Sequence, residues 1–109
     1  MQSLIKEIPK EFYRNGFFHY RMQREGNVCM YVEIDDPTTD DNHHHYEVVK
    51  ITKYKLNRDN LFHKRLIEMG YDEVEKYPSD NQWGELGWTF TEEWRAKNKY
   101  NELVKHRRV

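Results

Sequence analysis

Two runs of strict alternation, one on each side of a Gly-Asn break, constrain this chain more than any other feature. Phe18, Tyr20 and Met22 alternate with His19, Arg21 and Gln23, and Glu25-Gly26-Asn27 ends the run. Val28, Met30, Val32 and Ile34 then alternate with Cys29, Tyr31, Glu33 and Asp35. A period of two belongs to a strand with one buried face, and two such runs around a short Gly-Asn connection predict an antiparallel hairpin. A slip of one residue would turn every apolar side chain to water, so the even-numbered residues are expected to share the core face.

Other elements attach to this hairpin. Leu4, Ile5 and Ile8 form an apolar lead-in stopped at Pro9, and Asn15-Gly16 is a turn signal. A polar loop, Asp36–Asn42, leads to Tyr46–Tyr54, a third strand rich in β-branched and aromatic residues and apolar on both sides. Such a strand is central or covered on its second face. Residues 57–70 suit a helix, with Phe62, Leu66 and Met69 at i, i+4 and i+7 and Gly70 as its C′ residue. The acidic segment 71–76 reads as a connection. Ser79 and Gln82 have capping-box spacing, Trp88-Thr89-Phe90 reads as a short strand, and Thr91 followed by two glutamates starts a terminal helix. Ala96, Tyr100, Leu103 and Val104 make its apolar stripe; Trp94 lies off it and is expected to pack elsewhere at the helix start.

The fold class expected is therefore α+β: one domain over 1–109, with a small antiparallel sheet of three to four strands and the C-terminal helix packed on one face. Only 37% of residues are hydrophobic, but 15% are aromatic, and large rings let few positions build a core. The 18 basic and 19 acidic residues nearly cancel, so no global charge draws the chain to nucleic acid. The single Cys29 leaves no internal disulfide, no apolar run is long enough for a membrane span, and the N-terminus does not read as a signal peptide. A cytoplasmic location without membrane association follows.

Candidate chemistry is sparse. His43 and His45 would share one face of a strand and Asp40 or Asp41 could add an oxygen ligand, yet a cluster beside a polar loop, far in sequence from the other histidines, lacks the rigid scaffold that fixes the three or four ligands of a zinc site. Neither a metal nor another cofactor is expected. Cys29 and His19 lack a third orienting residue, and no nucleophile-elbow, metalloprotease, P-loop or dinucleotide motif occurs, so enzyme activity is not expected. The outer hairpin face would carry His19, Arg21, Gln23, Tyr31 and Glu33, with Lys50, Thr52 and Tyr54 added by the third strand and Glu33, Asp35 and Glu47 diluting its positive charge. Aromatics with cations between them are one way of holding single-stranded nucleic acid. Trp83 and Trp88 are candidate anchors for a protein partner, with at least one of them expected to fill the joint between sheet and helix.

Tyr46-Glu47-Val48-Val49-Lys50-Ile51, then Tyr77-Pro78-Ser79 and Trp83-Gly84-x-x-Gly87-Trp88-Thr89 before a terminal helix, resembles a group of small uncharacterised bacteriophage and prophage proteins. A Tyr-Glu-Val strand, a Tyr-Pro-Ser turn and an aromatic glycine corner recur in them. The resemblance implies a phage or mobile-element origin and a location in the host cytoplasm. It carries over no catalytic residue, and the helix at 57–70 has no counterpart in its pattern. The leading expectation is a non-enzymatic module that binds a host protein such as a defence component, through Arg21, Tyr31, Lys50, Tyr54, Trp83 and Trp88. The alternative is a nucleic-acid-binding module using the outer sheet face. The aromatic surface is also compatible with a homodimer.

Overall fold

The computed structural model describes residues 4–35, 38 and 44–107. In chain order the elements are β1 (Ile5–Lys6), β2 (Glu11–Arg14), β3 (Phe17–Glu25), β4 (Val28–Ile34), β5 (His44–Lys50), β6 (Thr52–Lys55), α1 (Lys64–Glu68), β7 (Glu73–Lys76), β8 (Gly87–Phe90) and α2 (Glu93–Arg107). The class is α+β, but the strands exceed the three to four expected because they form two sheets. The larger is antiparallel with order β2-β3-β4-β5-β8; the smaller has order β1-β7-β6, with β1 parallel to β7. No helix among the described residues is long and apolar enough to cross a membrane.

The predicted hairpin forms as β3 and β4, and Asn15 (φ 53) and Gly16 (φ 85) make a second turn that adds β2 at the edge. Two consecutive residues at positive φ match the twist of a hairpin, which is why Asn-Gly occupies the site. On β4 both faces are buried. Val28 and Met30 join Val48 of β5 and Ala96, Tyr100, Leu103 and Val104 of α2 in one core; the expected stripe of the terminal helix is thus the buried one. Cys29, Tyr31, Val49 and Ile51 build a second core on the opposite face, covered by Ile8, Phe12, Tyr77 and Trp83. On β3 the expected polarity reverses. His19 is buried while Met22 is 39% exposed. The register shifts between Arg21 and Gln23, and α2 packs on β4, β5 and β8, leaving the even face of β3 beyond its edge.

Three further departures have local causes. The third strand breaks at Ile51, whose N–H donates to the Asn27 carbonyl at 2.7 Å, and the chain then leaves the large sheet to pair with β7. Residues 73–76, expected as a connection, form the middle strand of the small sheet. The helix expected over 57–70 shrinks to Lys64–Glu68, because Asn57 Oδ1 accepts from the Asp59 amide and Asn60 Oδ1 from the Phe62 amide, both at 2.9 Å. Those side chains hold the backbone in turns where a helix needs its own carbonyls. Gly70, at φ 97, does end the helix in the left-handed region.

The corner before α2 follows its expected chemistry. Gln82 Oε1 accepts from the Ser79 amide at 3.0 Å and closes the capping box around the 3-10 turn Asp80–Gln82. Trp83 packs on the second core and Trp88 on the first, so each tryptophan serves a different face of the sheet. Trp94 instead stays 57% exposed, its indole N–H donating to Glu92 at 2.6 Å and Arg95 lying over its ring. Gly87 lies under Trp83: a Cβ there would sit 2.6 Å from the indole ring. That ring is held by its Nε1–H donating to Thr89 Oγ1 at 2.9 Å and by Tyr77 alongside. Gly87→Ala is therefore expected to cost about 1–3 kcal/mol as an overpacking change. Urea unfolding would measure it, and a cost below about 0.5 kcal/mol would mean the indole moves aside freely.

Candidate functional site

The residues expected to share one binding face do not meet. Tyr31 is fully buried, its hydroxyl donating to the Pro9 carbonyl at 3.2 Å; the surface expected to display it is the second core. Arg21 is half-buried beside it, with Nη1 lacking a hydrogen-bond partner among the described residues. Lys50 points to the α2 side and lines a shallow depression with Asn27, Val28, Leu103 and His106, while Tyr54 lies exposed on the small sheet. Trp83 and Trp88 are half-buried on opposite faces, with Lys99 Nζ 4.3 Å over the Trp88 ring. His45 packs its ring edge-on to Phe17, and His43 lies outside the described residues. Cys29 pairs across the hairpin with Arg24 and not with His19, and burial pushes its thiol up to about 11. It is no thiolate at neutral pH.

The second face instead gathers polar side chains beside its apolar core. His19 of β3, Glu33 of β4 and Glu47 of β5 come from three adjacent strands and are all buried. His19 Nδ1 lies 3.1 Å from the Phe17 carbonyl, and Nε2 lies 3.2 Å from Glu47 Oε1 and 3.8 Å from Glu33 Oε2. A carbonyl only accepts, so Nδ1 carries a hydrogen and Nε2 is the nitrogen turned toward the carboxylates. The Tyr77 hydroxyl donates to Glu47 Oε1, and Phe12 stacks on the imidazole with centroids 4.8 Å apart. Burial, then the hydrogen bond to Glu47 and its charge, push the Glu33 carboxyl up to about 7. Burial acts the same way on Glu47, but hydrogen bonds from His19, Glu33 and Tyr77 outweigh it and hold Glu47 below the ordinary carboxylate range. The same burial, with Glu47 alongside, raises the Tyr77 hydroxyl well above its usual value. Two buried carboxyls with oxygens within 4.8 Å of one another do not both ionise freely. A cleft of about 340 Å³, lined by Arg14, Asn15, Asp80, Trp83 and Thr89, reaches Glu47 from solvent.

A second feature stands at the far side of the small sheet. Leu61 and Phe62 are 85% and 92% exposed at the tip of the 57–63 turns. Beyond the two Asn side-chain bonds, the Asn57 amide donates to His63 Nδ1 at 3.0 Å, and the His63 ring lies against Tyr54. The tip is thus tied down while its two apolar side chains remain in water. Leu4, Tyr54 and Met69 add exposed apolar surface on the same small sheet and helix. Lys53 and Lys55 pair across the small sheet with Glu75 and Glu73, and nearer the tip Arg58, Lys64 and Arg65 stand against Asp59 and Glu68.

No family model, curated protein or solved structure matches this chain. Its function must be read from its own surfaces and clusters.

Both features escaped sequence reasoning. The helical period placed Phe62 inward with Leu66 and Met69, whereas Asn57 and Asn60 redirect the backbone locally. Their spacing to Asp59 and Phe62 is the one signal that pointed that way. The odd-numbered polar residues of the strands read as a solvated face, and nothing near them in sequence announces that residues 8–12 and 77–83 will cover them.

Proposed function

We propose that this chain is a non-enzymatic protein-binding module that docks through Leu61 and Phe62 on the small sheet. The carrying observation is the exposure of two adjacent large apolar side chains on a turn fixed by three side-chain hydrogen bonds. An unsupported loop would let such side chains fold back; a fixed one presents them at little ordering cost to a partner. Burying a Phe or Leu side chain is worth about 1.5–3 kcal/mol, the scale of a binding hot spot. Beside the tip, Arg58, Lys64 and Arg65 outnumber Asp59 and Glu68, which favours an apolar pocket with an acidic rim. A host protein, such as a defence component, is the partner that the phage-type resemblance implies, met in the host cytoplasm.

The test compares the wild-type chain with Leu61→Asp/Phe62→Asp and with Tyr13→Asp, another exposed aromatic, in capture from host lysate followed by binding to each purified candidate. The double variant should lose at least about 30-fold in affinity, the equivalent of one hot spot, with stability unchanged within about 0.5 kcal/mol. Tyr13→Asp should keep the partner. A partner retained by the double variant would refute the site. Sedimentation of the free chain separates a homodimer through the same tip from a foreign partner. The cations of 52–69 with Tyr54 and Phe62 favour one second reading, stacking of single-stranded nucleic acid. Retention on single-stranded DNA that weakens steeply with salt, without any protein partner, would select it.

A further inference from the structure

We propose that His19, Glu33 and Glu47 form a site for one divalent metal cation of the zinc class. Their donor atoms, one imidazole nitrogen and two carboxylate oxygens, all lie within 4.8 Å of one another and are buried. Zinc bonds of about 2.0–2.2 Å to N and O put neighbouring tetrahedral ligands roughly 3.3–3.5 Å apart. The observed 3.2 Å from His19 Nε2 to Glu47 and 3.8 Å to Glu33 bracket that edge, and with the third pair within 4.8 Å the side chains need only draw together around a cation.

The surroundings are those of a ligand set rather than of three stray polar groups. A metal-bound histidine usually gives its other N–H to a carbonyl or carboxylate, which fixes the tautomer and the ring plane. His19 does so through Nδ1 to the Phe17 carbonyl, leaving Nε2 toward the carboxylates, and Phe12 stacks on the imidazole at an interplanar angle of 11°. Tyr77 plays the matching outer part for Glu47. All three ligands stand on neighbouring strands of one sheet, which holds them more rigidly than a loop would. Charge also argues for a cation. Phe12, Tyr31 and Tyr77 surround the cluster, and the nearby Arg14 is engaged by the Pro78 carbonyl and Asp80. On binding, one divalent ion would displace the proton of the Glu33–Glu47 hydrogen bond and balance the two carboxylates in that apolar setting. The donor set of one nitrogen and two oxygens suits zinc, manganese or ferrous iron and disfavours cuprous copper. The cleft lined in part by Glu47 brings solvent to one of the three ligands.

The experiment is calorimetric titration of the chelator-stripped full chain with zinc chloride, for wild type, Glu33→Gln and His43→Ala/His45→Ala. One equivalent should bind to wild type and to the His43/His45 variant, with affinity reduced at least about tenfold in Glu33→Gln. Glu33→Gln is nearly isosteric, and its circular dichroism reports whether it folds. Zinc should also raise the melting temperature of wild type and raise that of Glu33→Gln less at the same zinc concentration. Ring NMR signals of wild type provide a readout independent of any variant: the His19 nitrogens should shift on zinc addition while those of His43 and His45 stay. The site is overturned by absence of zinc binding to wild type, by equal affinity in Glu33→Gln, or by loss of binding confined to the His43/His45 variant.

Discussion

Tyr31→Ala should lower stability by about 3–5 kcal/mol, a large share of the roughly 5–15 kcal/mol that keeps a small domain folded. The ring is fully buried and meets Phe12 and Tyr77 edge-on at 5.2 and 5.6 Å, so its removal leaves a cavity where two elements close over the sheet. The hydroxyl adds a bond to the Pro9 carbonyl that Tyr31→Phe would remove alone, at about 1 kcal/mol. Urea denaturation of the three proteins gives both numbers. The comparison bears directly on function: a nucleic-acid platform would tolerate Tyr31→Ala in stability and lose only binding. A variant as stable as wild type would restore the outer sheet face as a surface.

Arg24→Ala should cost about 2–3 kcal/mol at neutral pH, and the loss should shrink in acid. Arg24 of β3 donates through Nη1 to Glu75 Oε1 at 2.8 Å and through Nη2 to Oε2, clamping the large sheet to β7 of the small one. Glu75 also accepts from the Ile8 amide at 3.1 Å. Breaking a buried pair costs about 3–5 kcal/mol because a charge stays behind unpaired. A cost at or just below the low end of that range applies here because 20% of the Arg24 side chain remains in water. The hydrogen bond from Arg24 holds the Glu75 carboxyl below its usual range, against the opposing effect of burial. A depressed folded-state value means that stability is present above the unfolded value, about 4.3, and is lost as pH falls through the folded one. The difference between wild type and variant should therefore be full at pH 7 and smaller at pH 3, by urea unfolding at each. A difference that grows in acid would show that the pair is not the clamp.

The exposed tip and the buried cluster place different demands on the same fold. Leu61 and Phe62 stand on the small sheet, which reaches the large one through Ile8, Arg24 and Glu75, and through the chain itself at Ile51. The cluster lies under Tyr77 and beside Phe12. Cation binding at His19, Glu33 and Glu47 would tie three strands of the large sheet together without touching the tip. The two proposals thus fail or survive separately.

Local chemistry was legible from the sequence alone wherever a segment satisfied its own backbone. Alternation around Gly26 made the β3–β4 hairpin, Asn15-Gly16 made a turn, Ser79 with Gln82 made a capping box, and the 3.6-residue stripe from Ala96 to Val104 marked the face that α2 buries. What the large sheet's second face does was decided only by tertiary structure. His19 meets Glu47 across 28 residues, Tyr77 meets Glu47 across 30 and Arg24 meets Glu75 across 51. Alternation tells which side chains share a face, but not whether another part of the chain will cover it. Once residues 8–12 and 77–83 close over β4, the same odd-numbered positions that read as a solvated surface become a core of Cys29 and Tyr31 and a buried group of His19, Glu33 and Glu47. Phe62 shows the converse, because the local bonds of Asn57 and Asn60 turn a residue with helical spacing outward into water.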